Sequence, residues 1–343
     1  MLSIPFHTKY FFSLAAVLLC TVANNIAMAA DGNGGKRRFT HIEGTVFHTT
    51  YNILYDDTTD HSRDFEQLFR DIDGSLSMFN DTSILSRINR GDEKVVVNAH
   101  VRSVINKAAE VSKVTQGAFD ITVAPLVNLW GFGFRYGDSV TPENVDSILQ
   151  FVGYQGIRID KKGVLHKKDP RMMIDLSSIA KGYACDVVAD WLKKKGIANY
   201  MVEIGGEISV QGTNEKGKPW SIGINTPAED SLATNRELQE VVRVTHGGIA
   251  TSGNYRNFYY KDGQRYAHTI NPHTGYPVQQ DVLSATVFAP DCMTADAYAT
   301  AFMVMGSEEA LKIAKATPSI KVYLILSPTA GSSQYRTVCS PSL

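Results

Sequence analysis

Predicted strands occur in clusters along this chain and do not alternate strictly with helices, and this order constrains the fold more than any other feature. Three strands follow one another at residues 199–203, 207–211 and 220–225, and Gly205-Gly206 supplies the turn between the first two. The dipeptide Asp262-Gly263 suits a two-residue hairpin turn, which implies antiparallel pairing of the strands around it. We therefore predict an α+β fold with mixed, largely antiparallel sheets and packed helices, and not a doubly wound parallel sheet.

Apolar residues at helical spacing predict the helices, and alternating or β-branched residues predict the remaining strands. The predicted helices span residues 62–79, 100–115, 142–152 and 294–305, with one more capped by Ser177 or Ser178 and ended by Gly196, and another that begins at Ser307. The further predicted strands span residues 44–55, 163–166, 171–176, 241–245, 255–261, 264–270 and 321–326. We interpret the glycine-aromatic cluster at residues 130–134 as a loop, and the glycine-rich segment 247–253 as backbone that lets a ligand approach.

The length and composition set the broad class of the protein. The 343 residues suffice for one large domain or two smaller ones, and 43% apolar residues are ordinary for a globular core. The formal net charge is only −1, so the chain lacks the basic excess that holds nucleic acid phosphates. We divide it into an export signal (1–30), a flexible linker (31–43), one folded domain (44–330) and a C-terminal tail (331–343).

The N-terminus has the features of an export signal. Lys9 precedes an apolar run at residues 10–22, which is too short to span a bilayer comfortably, and the small-residue triplet Ala27-Met28-Ala29 follows. The alternative of a buried N-terminal helix is disfavoured by the polar, glycine-rich segment that comes next. Cleavage after Ala29 or Ala30 competes with lipidation of Cys20, which Leu19 disfavours because lipoprotein processing prefers a small residue there. Either route predicts a periplasmic protein or one on the outer face of a bacterial inner membrane.

The other cysteines give no metal-binding pattern. Cys185, Cys292 and Cys339 lack paired metal spacing, and their number is odd in a compartment that permits disulfides. Their disulfide status stays open. We expect Cys185, on the apolar side of a helix, to be a small buried hydrophobic residue and not a redox group.

Asp296 and Thr300 outline a site for a hard cation. They lie four residues apart in a predicted helix, so a carboxylate and a hydroxyl share one face. Magnesium prefers oxygen ligands and keeps waters or substrate phosphates in its other positions, so two protein oxygens are enough. The alternative is that Asp296 stands in the first turn only because the helix dipole favours a carboxylate there.

The segment Asp175-Leu176-Ser177-Ser178 outlines an anion site. A strand is predicted to end and a helix to begin there, so backbone N–H groups and the positive end of the helix dipole would face an anion. Lys181 would add a charged donor to a phosphate oxygen, although a single lysine on a helix is more often solvated. Gly182 costs the helix about 1 kcal/mol relative to alanine, which indicates that something approaches it closely.

His268 is the candidate base. It comes at the end of a predicted hairpin strand, just before the turn formers Asn271-Pro272 and Thr274-Gly275, which would hold it at a rim. A neutral imidazole there would accept a proton from an attacking hydroxyl. The alternative is a structural histidine, which is the commoner role of a single histidine on a strand.

Several separate blocks of this sequence together resemble the ApbE family of FAD:protein FMN transferases. The resemblance runs from about Gly44 to Leu326, and the blocks stand in the family's order. They are residues 77–83 with Arg87-Ile88-Asn89, residues 117–123, residues 175–182, residues 268–275 and residues 294–300.

The resemblance implies an ApbE-like architecture related to the T-fold and a specific reaction. The enzyme would transfer the FMN half of FAD to a threonine or serine hydroxyl of an acceptor protein, releasing AMP and requiring Mg²⁺. Asp296, Thr300 and the backbone carbonyl of Ala180 would bind the metal, and His268 would deprotonate the acceptor hydroxyl. The positions implied to line the FAD site are Ser77, Met78, Phe79, Asp120, Lys181 and Ile270. The implied acceptor is an exported flavoprotein subunit of a membrane redox complex.

Two departures from the family pattern leave other activities open. Residues 48–51 stand where the family usually has a glycine-threonine turn, and Phe79 stands where tyrosine or tryptophan is common. Some relatives resemble FAD pyrophosphatases, which hydrolyse FAD to FMN and AMP with the same metal and base. A third alternative is a non-catalytic flavin-binding protein of the cell envelope.

Overall fold

The computed structural model describes residues 38–133, 140–227, 238–254, 258–261, 264–329 and 334–341. The predicted export signal, Phe134 of the predicted loop and the Asp262-Gly263 turn lie outside these ranges. Among the described residues, no helix is both long enough and apolar enough to cross a membrane.

The strands and helices are numbered in chain order. The strands are β1 (Thr40–Val46), β2 (Thr49–Tyr55), β3 (Ile157–Ile159), β4 (Leu165–Lys167), β5 (Tyr200–Ile204), β6 (Glu207–Gln211), β7 (Trp220–Asn225), β8 (Leu238–Val244), β9 (His246–Gly253), β10 (Phe258–Lys261), β11 (Gln264–Ala267), β12 (Val282–Ala289), β13 (Lys321–Leu326) and β14 (Arg336–Cys339). The helices are α1 (Ser62–Leu76), α2 (Ile84–Asn89), α3 (Ala99–Val114), α4 (Ala124–Leu129), α5 (Pro142–Leu149), α6 (Ala180–Lys194), α7 (Cys292–Met305) and α8 (Ser307–Ala316).

One long antiparallel sheet organises the molecule. Its strand order is β1-β2-β5-β6-β9-β12-β13-β14, and each neighbouring pair is antiparallel. The pairs β3-β4, β7-β8 and β10-β11 are separate, smaller antiparallel sheets. The predicted α+β class is confirmed, and β6, β7 and β13 have the predicted bounds.

The single strand predicted at residues 44–55 is wrong, because the chain folds back there into a hairpin. Val46 pairs with Thr49, so Phe47 and His48 form a two-residue turn. Their φ values of 48° and 59° lie in the left-handed region. This is the turn geometry that Asn-Gly usually signals, and neither residue gives that signal.

The glycine-rich segment 247–253, for which no strand was predicted, is part of the central strand β9. It pairs with β6 on one side and with β12, which was not predicted, on the other. A Cβ at Gly248 would overlap the backbone of Asp291 and Cys292. Gly248 therefore lets helix α7 approach β9 closely, and the approach of a ligand to this segment stays a prediction.

Two local predictions around the candidate anion site are also wrong. Residues 171–176 form only an isolated parallel bridge, between Met173 and Val123, and no strand. The helix begins at Ala180, and neither Ser177 nor Ser178 caps it; the Leu176 carbonyl accepts the first helical bond from the Ala180 N–H at 2.8 Å. Elsewhere, the loop interpretation of the glycine-aromatic cluster is confirmed for residues 130–133, whereas the short helix α4 directly before it was not predicted.

Both faces of the long sheet are covered. The helix α7 packs on β9 and β12, and α6 packs on β5 and β6 and against α7. On the other face, Trp220, Ile222 and Ile224 of β7 contact buried side chains of the sheet such as Ile208 and Phe288. The helices α6 and α7 thus lie side by side in the main core.

The sheet extends past both limits expected for the folded domain. Strand β1 begins at Thr40, within the expected linker. Strand β14 pairs with β13, within the expected C-terminal tail. One edge strand of the sheet, β1, thus lies partly outside residues 44–330, and the other, β14, lies wholly outside them.

Candidate active site

Asp296 and the first turn of α6 meet directly. Asp296 is 4% exposed, and its Oδ2 accepts a hydrogen bond from the Gly182 backbone N–H at 3.0 Å. Gly182 is the third residue of α6, two positions after Ala180. The candidate cation ligand and the candidate anion-binding segment, far apart in sequence, are therefore parts of one site.

The close approach expected at Gly182 is made by helix α7. A Cβ on Gly182 would overlap the Cys292 carbonyl oxygen and would lie 2.8 Å from the Asp296 Cβ. The missing side chain lets the two helices touch at the level of Asp296. Gly182 thus serves the geometry of the site by letting α6 and α7 meet.

Two carboxylates fix the start of α7. The Asp291 side chain caps the helix by accepting the Thr294 N–H at 2.7 Å. Asp186, on α6, accepts the N–H groups of Cys292 at 2.9 Å and Met293 at 2.8 Å. Burial raises the pKa of Asp186 to about 7, against the lowering effect of these two backbone bonds.

Thr300 lies on the side of α7 that faces strand β9. Its Oγ1 is 3.3 Å from Ser252 Oγ, at hydrogen-bond distance. Two residues further along, Asn254 accepts a hydrogen bond from the Thr269 hydroxyl at 2.6 Å. Thr269 follows His268, so residues 252–254 contact both α7 and the segment that carries the candidate base.

Lys181, which is half-buried, forms an ion pair with the buried Glu207 that the sequence did not predict. Its Nζ lies 2.5 Å from Glu207 Oε1. Burial opposes the charge on Lys181, but the Glu207 and Asp296 carboxylates together raise its pKa. Burial also raises the pKa of both carboxyls, and their attraction to the Lys181 ammonium partly offsets this.

A cavity of about 150 Å³ opens beside the start of α6. It brings together five of the predicted positions, Ser77, Met78, Phe79, Ala180 and Lys181. The other lining residues are Phe47, His48, Ile72, Asp73, Leu76, Asp175, Leu176 and Ser177. Phe79 is 61% exposed, and its ring meets the His48 ring edge to face at a centroid distance of 4.9 Å. An apolar wall thus faces backbone and side-chain donors at a helix start, the combination that a nucleotide with an aromatic ring requires.

The Asp120 carboxylate accepts hydrogen bonds from two nearby segments of the chain. The donors are the Thr122 N–H, the Thr122 hydroxyl and the Tyr154 N–H, at 2.6 to 2.8 Å. Burial raises its pKa in spite of these bonds. It is not among the residues that line the cavity, and its role at the FAD site stays a prediction.

His268 follows β11 and is partly buried, as expected for a rim. The Phe132 ring meets its imidazole edge to face at 6.5 Å. Stacked rings continue from Phe132 through Tyr259 and Tyr266 to Trp130, with centroids 5.2 to 5.5 Å apart. This aromatic stack holds the hairpin that presents His268.

Ile270 lies two residues after His268 and is 4% exposed. Its side chain packs in a small core cluster with Leu126, Leu129, Trp130 and Val145. The structure therefore places the Ile270 side chain in a hydrophobic core and not in the cavity. Its contact with FAD stays a prediction.

The residues at the α6–α7 contact suit a magnesium ion by their chemistry. Asp296, Thr300 and the Ala180 carbonyl offer only oxygen ligands, and burial raises the pKa of Asp296, so a cation would stabilise its charged form. In the described part of the chain, no group of three or more His, Cys, Asp or Glu side chains could hold a metal. The donor set would thus be one carboxylate with neutral oxygens, which leaves positions for substrate phosphates.

The fold of this chain is similar to solved structures of flavin transferases. The flavin transferase ApbE from Vibrio cholerae has a similar structure, with a TM-score of 0.79 and 38% identity, covering 89% of this chain and 98% of that one. The apo flavinyl transferase ApbE of Pseudomonas stutzeri has a TM-score of 0.78 at 30% identity, covering 89% and 95%. The fold is therefore that of the flavin transferases.

Sequence relatives agree with the structural ones. The FAD:protein FMN transferase of Vibrio cholerae serotype O1 is 40% identical over 305 residues, 86% of this chain and 90% of the relative. That of Haemophilus influenzae is 38% identical over 300 residues, 83% and 86%. The family model described as "ApbE family" matches residues 44–324. The chain therefore belongs to the ApbE family and so to the transferase class of enzymes.

Sequence reasoning missed Glu207, Ser252 and Asp186. Each of them contacts a partner on another element, so the spacing of residues near it in the sequence does not indicate its role. The one available signal was the position of Glu207, a carboxylate directly after the Gly205-Gly206 turn. Cys185 is fully buried, as expected. The cysteines Cys185, Cys292 and Cys339, whose disulfide status the sequence left open, are all free.

Proposed function

We propose that this protein transfers the FMN moiety of FAD to a threonine or serine hydroxyl of an acceptor protein, releasing AMP in a Mg²⁺-dependent reaction. The observation that carries the proposal is the hydrogen bond from Gly182 to Asp296. It joins the cation ligand on α7 to the helix start that borders the cavity. Phosphoryl-type transfer needs mainly positioning and charge neutralisation, which such a junction supplies.

Asp296, Thr300 and the Ala180 carbonyl would hold the Mg²⁺ ion. When bound, the ion would neutralise charge on the pyrophosphate of FAD. The N–H groups at the start of α6 would orient the same phosphates. Ser77, Met78 and Phe79 would contact the flavin nucleotide along the cavity wall, where Phe79 offers an aromatic face.

His268 would act as the general base. The acceptor hydroxyl would give its proton to the imidazole while its oxygen forms a new bond to the phosphorus of the FMN half. The P–O bond to the AMP half breaks, and AMP leaves with that oxygen. The aromatic stack supports this role, because it fixes the hairpin on which His268 stands.

The proposal extends to where the protein acts. The signal-like N-terminus supports export to the periplasm or to the outer face of the inner membrane, with Cys20 as a lipid anchor if it is acylated. The acceptor would then be an exported flavoprotein subunit of a membrane redox complex. Mass measurement of the mature N-terminus tests the two processing routes.

The decisive experiment incubates the protein with FAD and Mg²⁺, with and without a purified flavoprotein subunit of a membrane redox complex from the same organism. We expect AMP release that depends on the acceptor, together with covalent flavin fluorescence on the acceptor band. Equal amounts of free FMN and AMP in both incubations, without a fluorescent band, would show hydrolysis and reject the transferase. FAD retained intact would show a binding protein.

A further inference from the structure

Lys181 stands between two carboxylates that have different tasks. Its ammonium contacts Glu207 Oε1 at 2.5 Å, and the Asp296 carboxylate is near enough to attract the same charge. Asp296 belongs to the proposed magnesium site, whereas Glu207 has no place in it. The ammonium is therefore paired with the carboxylate that the metal would not use.

The structure holds Glu207 in this pairing. Glu207 is 4% exposed, and its second oxygen, Oε2, is buried without a hydrogen-bond partner among the described residues. Such a carboxylate depends on its ion pair, because a buried charge without a partner is costly. Glu207 opens β6 directly after the Gly205-Gly206 turn, which fixes its backbone.

The turn also guides the lysine side chain. Gly205 has φ +63°, and a Cβ there would lie 3.2 Å from Lys181 Cδ and 2.8 Å from Thr49 Cγ2. The absence of a side chain thus leaves the room through which Lys181 reaches Glu207. The stem of Lys181 thus lies against the β5–β6 turn, and its ammonium contacts the first residue of β6.

We propose that Glu207 is a positioning residue that holds the Lys181 ammonium away from Asp296 and so keeps Asp296 available to a divalent cation. The inference rests on the magnesium site of the proposed function. After Glu207, Asp296 is the carboxylate whose charge acts most strongly on the Lys181 ammonium. The lysine would then neutralise the charge on which the cation depends.

The test compares the single variant Glu207→Gln with a double variant that also removes the lysine charge and so keeps the net charge. Mn²⁺ is the probe for the cation. Binding of Mn²⁺ to the mature protein without FAD is followed by the electron paramagnetic resonance signal of the free ion. Glu207→Gln should weaken binding by about 10-fold or more, the usual effect of losing a partner that orients a metal ligand. The double variant Lys181→Met/Glu207→Gln should regain the parent affinity, because it removes the competing ammonium as well.

Glu203→Gln is the matched control. Glu203 is also fully buried, but its oxygens accept hydrogen bonds from the Asn52 amide at 2.8 Å and the Gly206 N–H at 2.7 Å. This variant loses the same charge on the neighbouring strand without releasing Lys181 from its ion pair. We expect it to affect Mn²⁺ affinity far less than Glu207→Gln does.

The outcomes separate this inference from the proposed function. A parent protein that binds no Mn²⁺ would overturn the magnesium site and this inference with it. A parent that binds Mn²⁺ and a folded Glu207→Gln variant of equal affinity would overturn the role of Glu207 alone. If Glu207→Gln does not fold, the double variant decides, because an affinity about 10-fold below the parent's would show that Glu207 itself binds the cation.

Discussion

At the scale of single residues, Asp296 is the group on which the proposed reaction depends most. Asp296→Asn keeps an oxygen for the Gly182 N–H but removes the charge that would bind the cation. We expect AMP release from FAD to fall by at least about 100-fold, because the metal supplies several kcal/mol of transition-state stabilisation. Asp291→Asn is the control, since asparagine caps a helix as well as aspartate. AMP release at the parent rate in Asp296→Asn would exclude this metal site.

His268 is expected to affect the chemical step and not the binding of FAD. His268→Gln should lower the rate of flavin transfer by about 10²- to 10⁴-fold, the usual contribution of a general base. Binding of FAD, followed by quenching of flavin fluorescence, should change little. His273→Gln, on the exposed turn that follows, is the control. A transfer rate close to the parent's would leave His268 a structural residue.

How far single residues could be predicted depended on where their partners lie. Asp296, Thr300 and Lys181 belong to short motifs whose spacing indicates their chemistry, and the structure brings their elements together. Glu207 could not be found in this way, because its role depends on an ion pair with Lys181, which lies on another element. Ile270 also belongs to a sequence motif, but its position in the motif does not reveal that its side chain packs in a hydrophobic core.

At the scale of elements, the contact of α6 with α7 should tolerate no added methyl group. Gly182→Ala would place a Cβ against Cys292 and Asp296. We expect the free energy of unfolding to fall by about 1 to 3 kcal/mol, although alanine favours a helix by about 1 kcal/mol. Urea unfolding measures the change.

Gly74→Ala is the control for the helix preference alone. Gly74 lies in α1 with no atom within 4 Å of an added Cβ. This variant should gain about 0.5 to 1 kcal/mol. Equal gains at both glycines would show that α6 and α7 do not approach as closely as described.

The attachment of α7 to Asp186 should make stability depend on pH. The pKa of Asp186 is raised to about 7 in the folded protein, from an ordinary value of 3.8. The folded state therefore keeps a proton that the unfolded chain has lost, and this favours folding most below about pH 4. That contribution is lost as the pH rises through about 7.

Asp186→Asn tests this dependence because it removes the titrating group. Urea unfolding of the parent and the variant across that pH range should show the stability of the parent falling relative to the variant. Asp190→Asn, an exposed position one turn further along α6, is the control. A constant difference between parent and Asp186→Asn would show that Asp186 does not titrate in this range.

Elements were predictable where a local pattern determines them. The helices α3 and α5 and the strands β6, β7 and β13 carry clear periodicity, and each was found. The central strand β9 was not found, because its glycines and small hydroxyls have no strand signal. It is a strand because β6 and β12 pair with it and α7 covers it.

At the scale of the whole molecule, the antiparallel sheet brings the separate motifs together. The order of its strands places β6, β9 and β12 at the centre, beneath α6 and α7. The clustering of strands predicted this class of fold. It did not predict the order of strands, which depends on contacts between residues far apart in the chain.

The most direct test of the account is anomalous diffraction from crystals of the protein soaked with Mn²⁺ and FAD. We expect a manganese peak within about 2.3 Å of oxygens from Asp296, Thr300 and the Ala180 carbonyl, next to the FAD pyrophosphate. Manganese bound elsewhere, with FAD away from the start of α6, would contradict it.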